Sequence, residues 1–141
     1  MDVNAAKQFL SSYRWLDSRI NDKLEQLSSL KDKLLRLSPD LESVSHIKGT
    51  SDPVGLAVTK MVALEDEINA DIDKMIRLKA NIESSINLLD NESFKEILTK
   101  KYINFKTNEE IAMDMNYSDR WIRILHHKAL AALSVPCNSA F

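Results

Sequence analysis

Two long runs of apolar residues at heptad spacing constrain this chain more than any other feature in it. From about Ala5 to Leu37, the residues Tyr13, Ile20, Leu27 and Leu34 fall seven apart, and Leu16, Leu30 and Leu37 form a second series that Lys23 completes. Two series interleaved by three and four make the seam of a coiled coil, which predicts a helix of about 33 residues, roughly 50 Å long. Phe9 extends the stripe backwards. Lys23 breaks the seam with a charge, although its neighbour Leu24 can turn inward.

Residues 38–53, SPDLESVSHIKGTSDP, gather two prolines, one glycine and five serines or threonines, and are expected to form a loop with one short turn around Leu41 to Ile47. Asp52-Pro53 then supplies an N-cap followed by proline at the first helical position. A second helix follows: Met61, Ile68, Met75, Ile82 and Leu89 are seven apart, Leu64 and Leu78 give a second line, and Val58, Ile72 and Ile86 a third. Three lines make a wide apolar stripe, so two such helices folded back on each other leave surface for a third element or a second chain. A homodimer through this N-terminal hairpin is therefore expected. Asp90-Asn91 ends the long periodicity, and the tail, residues 135–141, is expected to fray.

With only 2 glycines and 3 prolines in 141 residues, the chain has few of the turn residues that an all-β fold needs. The expected class is all-α: a long coiled-coil-like N-terminal helical hairpin over residues 1–91, then a small three-helix helix-turn-helix domain over residues 92–134. One cysteine, Cys137, excludes an internal disulfide and a cysteine-rich metal site. No basic stretch followed by an apolar run opens the chain, and nowhere do eighteen apolar residues follow one another, so no membrane partner is expected and the cytoplasm is the expected location. Net charge is −2, but residues 92–141 carry 7 basic and 6 acidic side chains, so the excess of acid lies in the hairpin.

The C-terminal third holds the candidate function. Glu92 to Tyr102 reads as a helix with Phe94, Ile97, Leu98 and Tyr102 on one side, and Asn104 to Lys106 as a turn. Thr107 and Glu110 have the spacing of a capping box that opens a short helix, Asn108 to Met115. Asn116 tolerates the left-handed backbone that ends a helix, and Ser118 can cap the next one. That last helix, Asp119 to about Leu133, has Ile122, Leu125, Ala129, Leu130 and Leu133 at core spacing, and Ala112 is small enough to let it approach its neighbour. Two short helices at a tight turn are a helix-turn-helix.

The run Thr107-Asn-Glu-Glu-Ile-Ala-Met-Asp-Met-Asn-Tyr-Ser118, followed by Ile122, Leu125, Lys128-Ala129-Leu130 and Leu133, resembles region 4 of the sigma-70 family. The resemblance covers residues 92–134. The whole layout also resembles small transcriptional regulators encoded by phages and prophages of Gram-positive bacteria, which implies action on promoters in a bacterial host cell. The resemblance implies that Asp119, Arg120, Trp121, Arg123 and Ile124, just after the serine cap, face the major groove of double-stranded DNA. Arg120 and Arg123 can each present a bidentate fork to guanine or grip a phosphate, and Trp121 can stack on sugar or a thymine methyl. Lys128, with His126 or His127, would reach the backbone, and the amides capped by Thr107 could approach a phosphate. Asp119 departs from the family, which often has a basic residue there, and it can accept from cytosine N4 or form a local ion pair. No segment resembles the sigma region that melts promoter DNA, so the chain is not a complete sigma factor.

Blander readings stand beside these. The heptads are core packing, Arg120 and Arg123 can be solvated surface, and Trp121 can serve a protein interface. His126 and His127 point about 100° apart on a helix and cannot chelate one metal together. No metal or cofactor is expected, and no enzyme, since the chain shows neither a Gly-rich phosphate loop nor a nucleophile and base arrangement. A rival from another class is an interaction module that docks on bacterial RNA polymerase and uses the hairpin to capture a partner without specific DNA binding. In that reading alanine at Arg120 and Arg123 is harmless, whereas changes on the helix bearing Phe94 and Tyr102 are not.

Overall fold

The computed structural model describes residues 2–37 and 53–134. Among them every regular element is helical: α1 (Val3–Leu37), α2 (Pro53–Asn87), α3 (Glu92–Leu98) running into a π-helical turn (Thr99–Ile103), α4 (Asn108–Met115) and α5 (Asp119–Ala132). The all-α class with two long N-terminal helices is what the composition and the heptads require. Pro53 is the first residue of α2 as expected, where its missing N–H has no partner to lose. Of the expected loop over residues 38–53, residues 38–52 with the short turn and the Asp52 cap lie outside the described residues, as does the tail.

The chain divides into two compact units. One, Ser18–Asp73, is built from the later part of α1 and the earlier part of α2. Its core is Leu27, Leu64 and Ile68, with Leu30 and Met61 packed against it. Lys23 meets Glu67 and Asp71, so pairing partners rise along α1 as they fall along α2, and the two helices run antiparallel here. Lys23 does not break the seam. Its ammonium donates to Asp71 Oδ2 at 2.7 Å, and the Asp71 side chain, only 4% exposed, also takes Arg19 Nε at 3.4 Å. Leu24, which the sequence allowed to turn inward, is 44% exposed, because Lys23 itself occupies the inward position.

The other unit comprises Met1–Asp17 and Lys74–Phe141. Here α1 buries Ala6, Phe9, Leu10, Tyr13 and Leu16, while α2 buries Leu78, Ile82 and Ile86. Of the three lines predicted on α2, the third is buried only at Ile86: Val58 and Ile72 are exposed, as are Val62 and Ile76. One partner helix covers a stripe of limited width, and the surplus line lies beyond it. Among the described residues no helix is long and apolar enough to cross a membrane.

Candidate nucleic-acid interface

The segment from Glu92 onward is assembled by side chains that finish backbone hydrogen bonds. Asn91 accepts from the amides of Ser93 (2.9 Å) and Phe94 (3.3 Å), starting α3. The predicted helix to Tyr102 is α-helical only to Leu98, and then widens into the π turn, in which the Asn104 amide reaches back to the Thr99 carbonyl. Phe105 follows with φ 57°, a left-handed conformation that costs a bulky side chain energy. Its ring is held by α1 from the same unit: the Tyr13 ring lies 5.7 Å away and the Arg14 guanidinium 5.5 Å from its centre.

The capping box forms as the spacing requires. The Glu110 amide donates to Thr107 Oγ1 at 3.2 Å, and the Glu110 carboxylate accepts from the Thr107 amide and hydroxyl. The α4 N-terminus thus already has its own acceptors, with Glu109 and Glu110 in the first turn. Asn116 ends α4 at φ 57°, ψ 42°, and the Ser118 hydroxyl accepts from the Trp121 amide at 3.1 Å to start α5. Beneath this turn Ile97, Ile111, Ala112, Ile122 and Leu125 form one core, flanked by Phe94 and Met115. Ala112 lies inside that core, where a larger side chain would push α5 away.

The outer face of α5 presents the predicted residues together. Asp119, Arg120, Trp121, Arg123, Ile124, His127 and Lys128 are all exposed, while Ile122, Leu125, Ala129 and Leu130 are buried beneath them. Residues four apart make two ridges: Arg120, Ile124 and Lys128 on one, Asp119, Arg123 and His127 on the other. Lys128 Nζ lies 5.8 Å from the centre of the Trp121 ring, a cation–π contact that orients both side chains. Among the described residues no ion pair engages Arg120, Arg123 or Asp119. Acidic Asp114 on α4 is different: it takes Lys100 at 3.4 Å and Lys106, and these lysines hold its carboxyl below the usual range.

His126 and His127 part company. His127 is exposed on the outer face, whereas half-buried His126 turns toward α3 and meets the Tyr102 hydroxyl at 2.7 Å through Nε2. Burial, then the nearby Lys101, Lys7 and His127, pushes His126 down to about 4, and burial pushes Tyr102 up to about 12. Both shifts favour the neutral forms, in which the phenol and the ring share one hydrogen bond. Of the two histidines considered for a backbone contact, only His127 is exposed.

The Phe105 clamp, the Tyr102 and His126 pair and the π turn had no counterpart in the sequence reading. Exposed Met113 (80%) and Tyr117 (39%) were also missed. Met113 was legible in principle, since it falls outside the Ile111, Ala112 and Met115 core spacing.

The family model described as Protein of unknown function (DUF1492) matches residues 37–134, more than half of the chain. The chain belongs to the DUF1492 family. The matched span takes in α2 to α5 and every residue of the candidate interface, and it leaves nearly all of α1 outside. No curated protein and no solved structure matches this DUF1492 chain significantly.

Proposed function

We propose that this DUF1492 chain is a sequence-specific DNA-binding regulator of transcription, with α5 as its recognition helix. The observation that carries the reading is the outer face of α5: Arg120 and Arg123, exposed and without an ion-pair partner among the described residues, in the first two turns after a serine-capped helix start. A helix is narrow enough to enter the major groove, where an arginine fork matches guanine O6 and N7. The resemblance of residues 92–134 to sigma-70 region 4 supports the same placement, and the likeness of the whole layout to phage- and prophage-encoded regulators supports a role at promoters in a bacterial cytoplasm. Asp119 then accepts from cytosine N4, and Lys128 and His127 meet the backbone.

Val58, Val62 and Ile72, exposed on α2 within the Ser18–Asp73 unit, support self-association, since exposed apolar side chains are what a second copy can cover. A symmetric dimer binds two half-sites in inverted repeat. Docking on RNA polymerase is the second reading, favoured by exposed Met113, Tyr117 and Trp121. Its earlier test needs revision: Tyr102 is buried and Phe94 packs on the core, so changes there act on folding before they act on any partner.

The test is selection from random duplex DNA with the full chain at near-physiological salt, run in parallel with the Arg120→Ala, Arg123→Ala double variant. An enriched motif with the wild type and none with the variant supports the proposal. No enrichment with the wild type overturns it.

A further inference from the structure

The exposed ridge Arg120, Ile124, Lys128 contains one residue that charge attraction to DNA does not explain. Ile124 is 37% exposed in the middle of that ridge, between a guanidinium and an ammonium, each four residues away. A β-branched apolar side chain gains nothing from water there, and α5 supplies the core from its other side through Ile122, Leu125, Ala129 and Leu130. The neighbouring aromatic, Trp121, lies off this ridge and has Lys128 Nζ 5.8 Å from its ring centre. Ile124 is the apolar group on the ridge, and its immediate company is cationic.

A surface that is apolar at one point and cationic on either side fits the major-groove edge of a thymine, whose C5-methyl group is the one apolar feature that a base pair displays there, beneath a phosphate backbone. We infer that Ile124 is a specificity-determining residue that reads a thymine methyl beside the guanine read by Arg120. This rests on the DNA-binding reading above. The spacing follows from the helix. Four residues advance about 6 Å along α5, and base pairs stack about 3.4 Å apart. A helix lying along the groove thus sets the thymine one or two base steps from the guanine.

Uracil differs from thymine only by that methyl group, which makes the test direct. In the most enriched duplex each thymine is replaced singly by uracil, and binding is measured for the wild type and for Ile124→Ala, whose helicity is checked by circular dichroism. One replacement, one or two steps from a required guanine, should weaken wild-type binding about fourfold, the value of one buried methyl group. Ile124→Ala should bind the thymine and uracil duplexes equally while keeping the guanine preference. Specific binding that is indifferent to every uracil, or a uracil effect that Ile124→Ala retains, overturns the inference and leaves the DNA-binding reading standing. If the wild type binds all duplexes alike, the reading beneath it falls, and this inference with it.

Discussion

The pair of Lys23 and Asp71 offers a perturbation whose size follows from its surroundings. Asp71 is 4% exposed and accepts from Lys23 Nζ at 2.7 Å, while Lys23 is 13% exposed. The remaining partners are unequal. Glu67, 3.7 Å from Lys23, is 61% exposed and contributes little, whereas Arg19 at 3.4 Å can continue to serve Asp71. Asp71→Leu therefore strands a mostly buried ammonium and should cost about 3 kcal/mol, at the lower end for broken buried pairs. Lys23→Met leaves Asp71 with Arg19 and should cost about 2 kcal/mol. The double variant replaces both charges with apolar groups next to Leu27 and Ile68, and should return to within about 1 kcal/mol of the wild type. Urea unfolding followed by far-UV circular dichroism reads the series, with the Asp71→Leu midpoint falling by about 1.5 M if the slope is about 2 kcal/mol/M. Additive single effects, with a coupling below about 0.5 kcal/mol, would refute the argument that the two charges stabilise each other inside the seam.

Other outcomes follow from the same geometry. His126, held down to about 4, binds a proton less readily when folded than when unfolded, so stability present above pH 6.5 is lost as pH falls toward 4. Allowing for solvent screening of a half-buried ring, the loss is about 2 kcal/mol, and His126→Phe should flatten it in acid titrations of thermal stability. Tyr102, pushed up to about 12, works in the opposite sense: stability is lost as pH rises from 10 through 12. Asn116 adopts φ 57°, so Asn116→Gly should stay within a few tenths of a kcal/mol of the wild type and Asn116→Val should lose about 2 kcal/mol in chemical denaturation. If the exposed apolar residues of α2 join two copies, Val62→Glu with Ile72→Glu should turn a dimer into a folded monomer by sedimentation; a wild type already monomeric removes the dimer from the account.

The legible features were those decided by local chemistry. Thr107 with Glu110, left-handed Asn116 and the Ser118 cap each satisfy or end a helix within a few residues, so their spacing alone locates the turn. The heptad lines located the buried faces of α1 and α2 for a related reason, helical periodicity being a property of the chain itself. What escaped was set by tertiary partners. Lys23 looked like a defect because Asp71 stands 48 positions away. Phe105 has a left-handed backbone with Tyr13 and Arg14 against its ring, and the Tyr102 hydroxyl that meets His126 comes from 24 positions away, although the spacing of His126 from Ile122 and Leu130 already put it on the inner side of α5. Spacing carries no record of such long-range company. The width of the apolar stripe on α2 was overestimated for the same reason, since periodicity counts lines and does not say how many a neighbour covers.

The central claim is that α5 reads DNA sequence, and the specificity ratio measures it most directly: the affinity of the full chain for the most enriched duplex over that for its scrambled version, by fluorescence anisotropy at fixed salt. The account predicts a ratio of at least about a thousand for the wild type, falling toward one with Arg120→Ala and Arg123→Ala together. A wild-type ratio near one, or a high ratio that the double variant keeps, would contradict it.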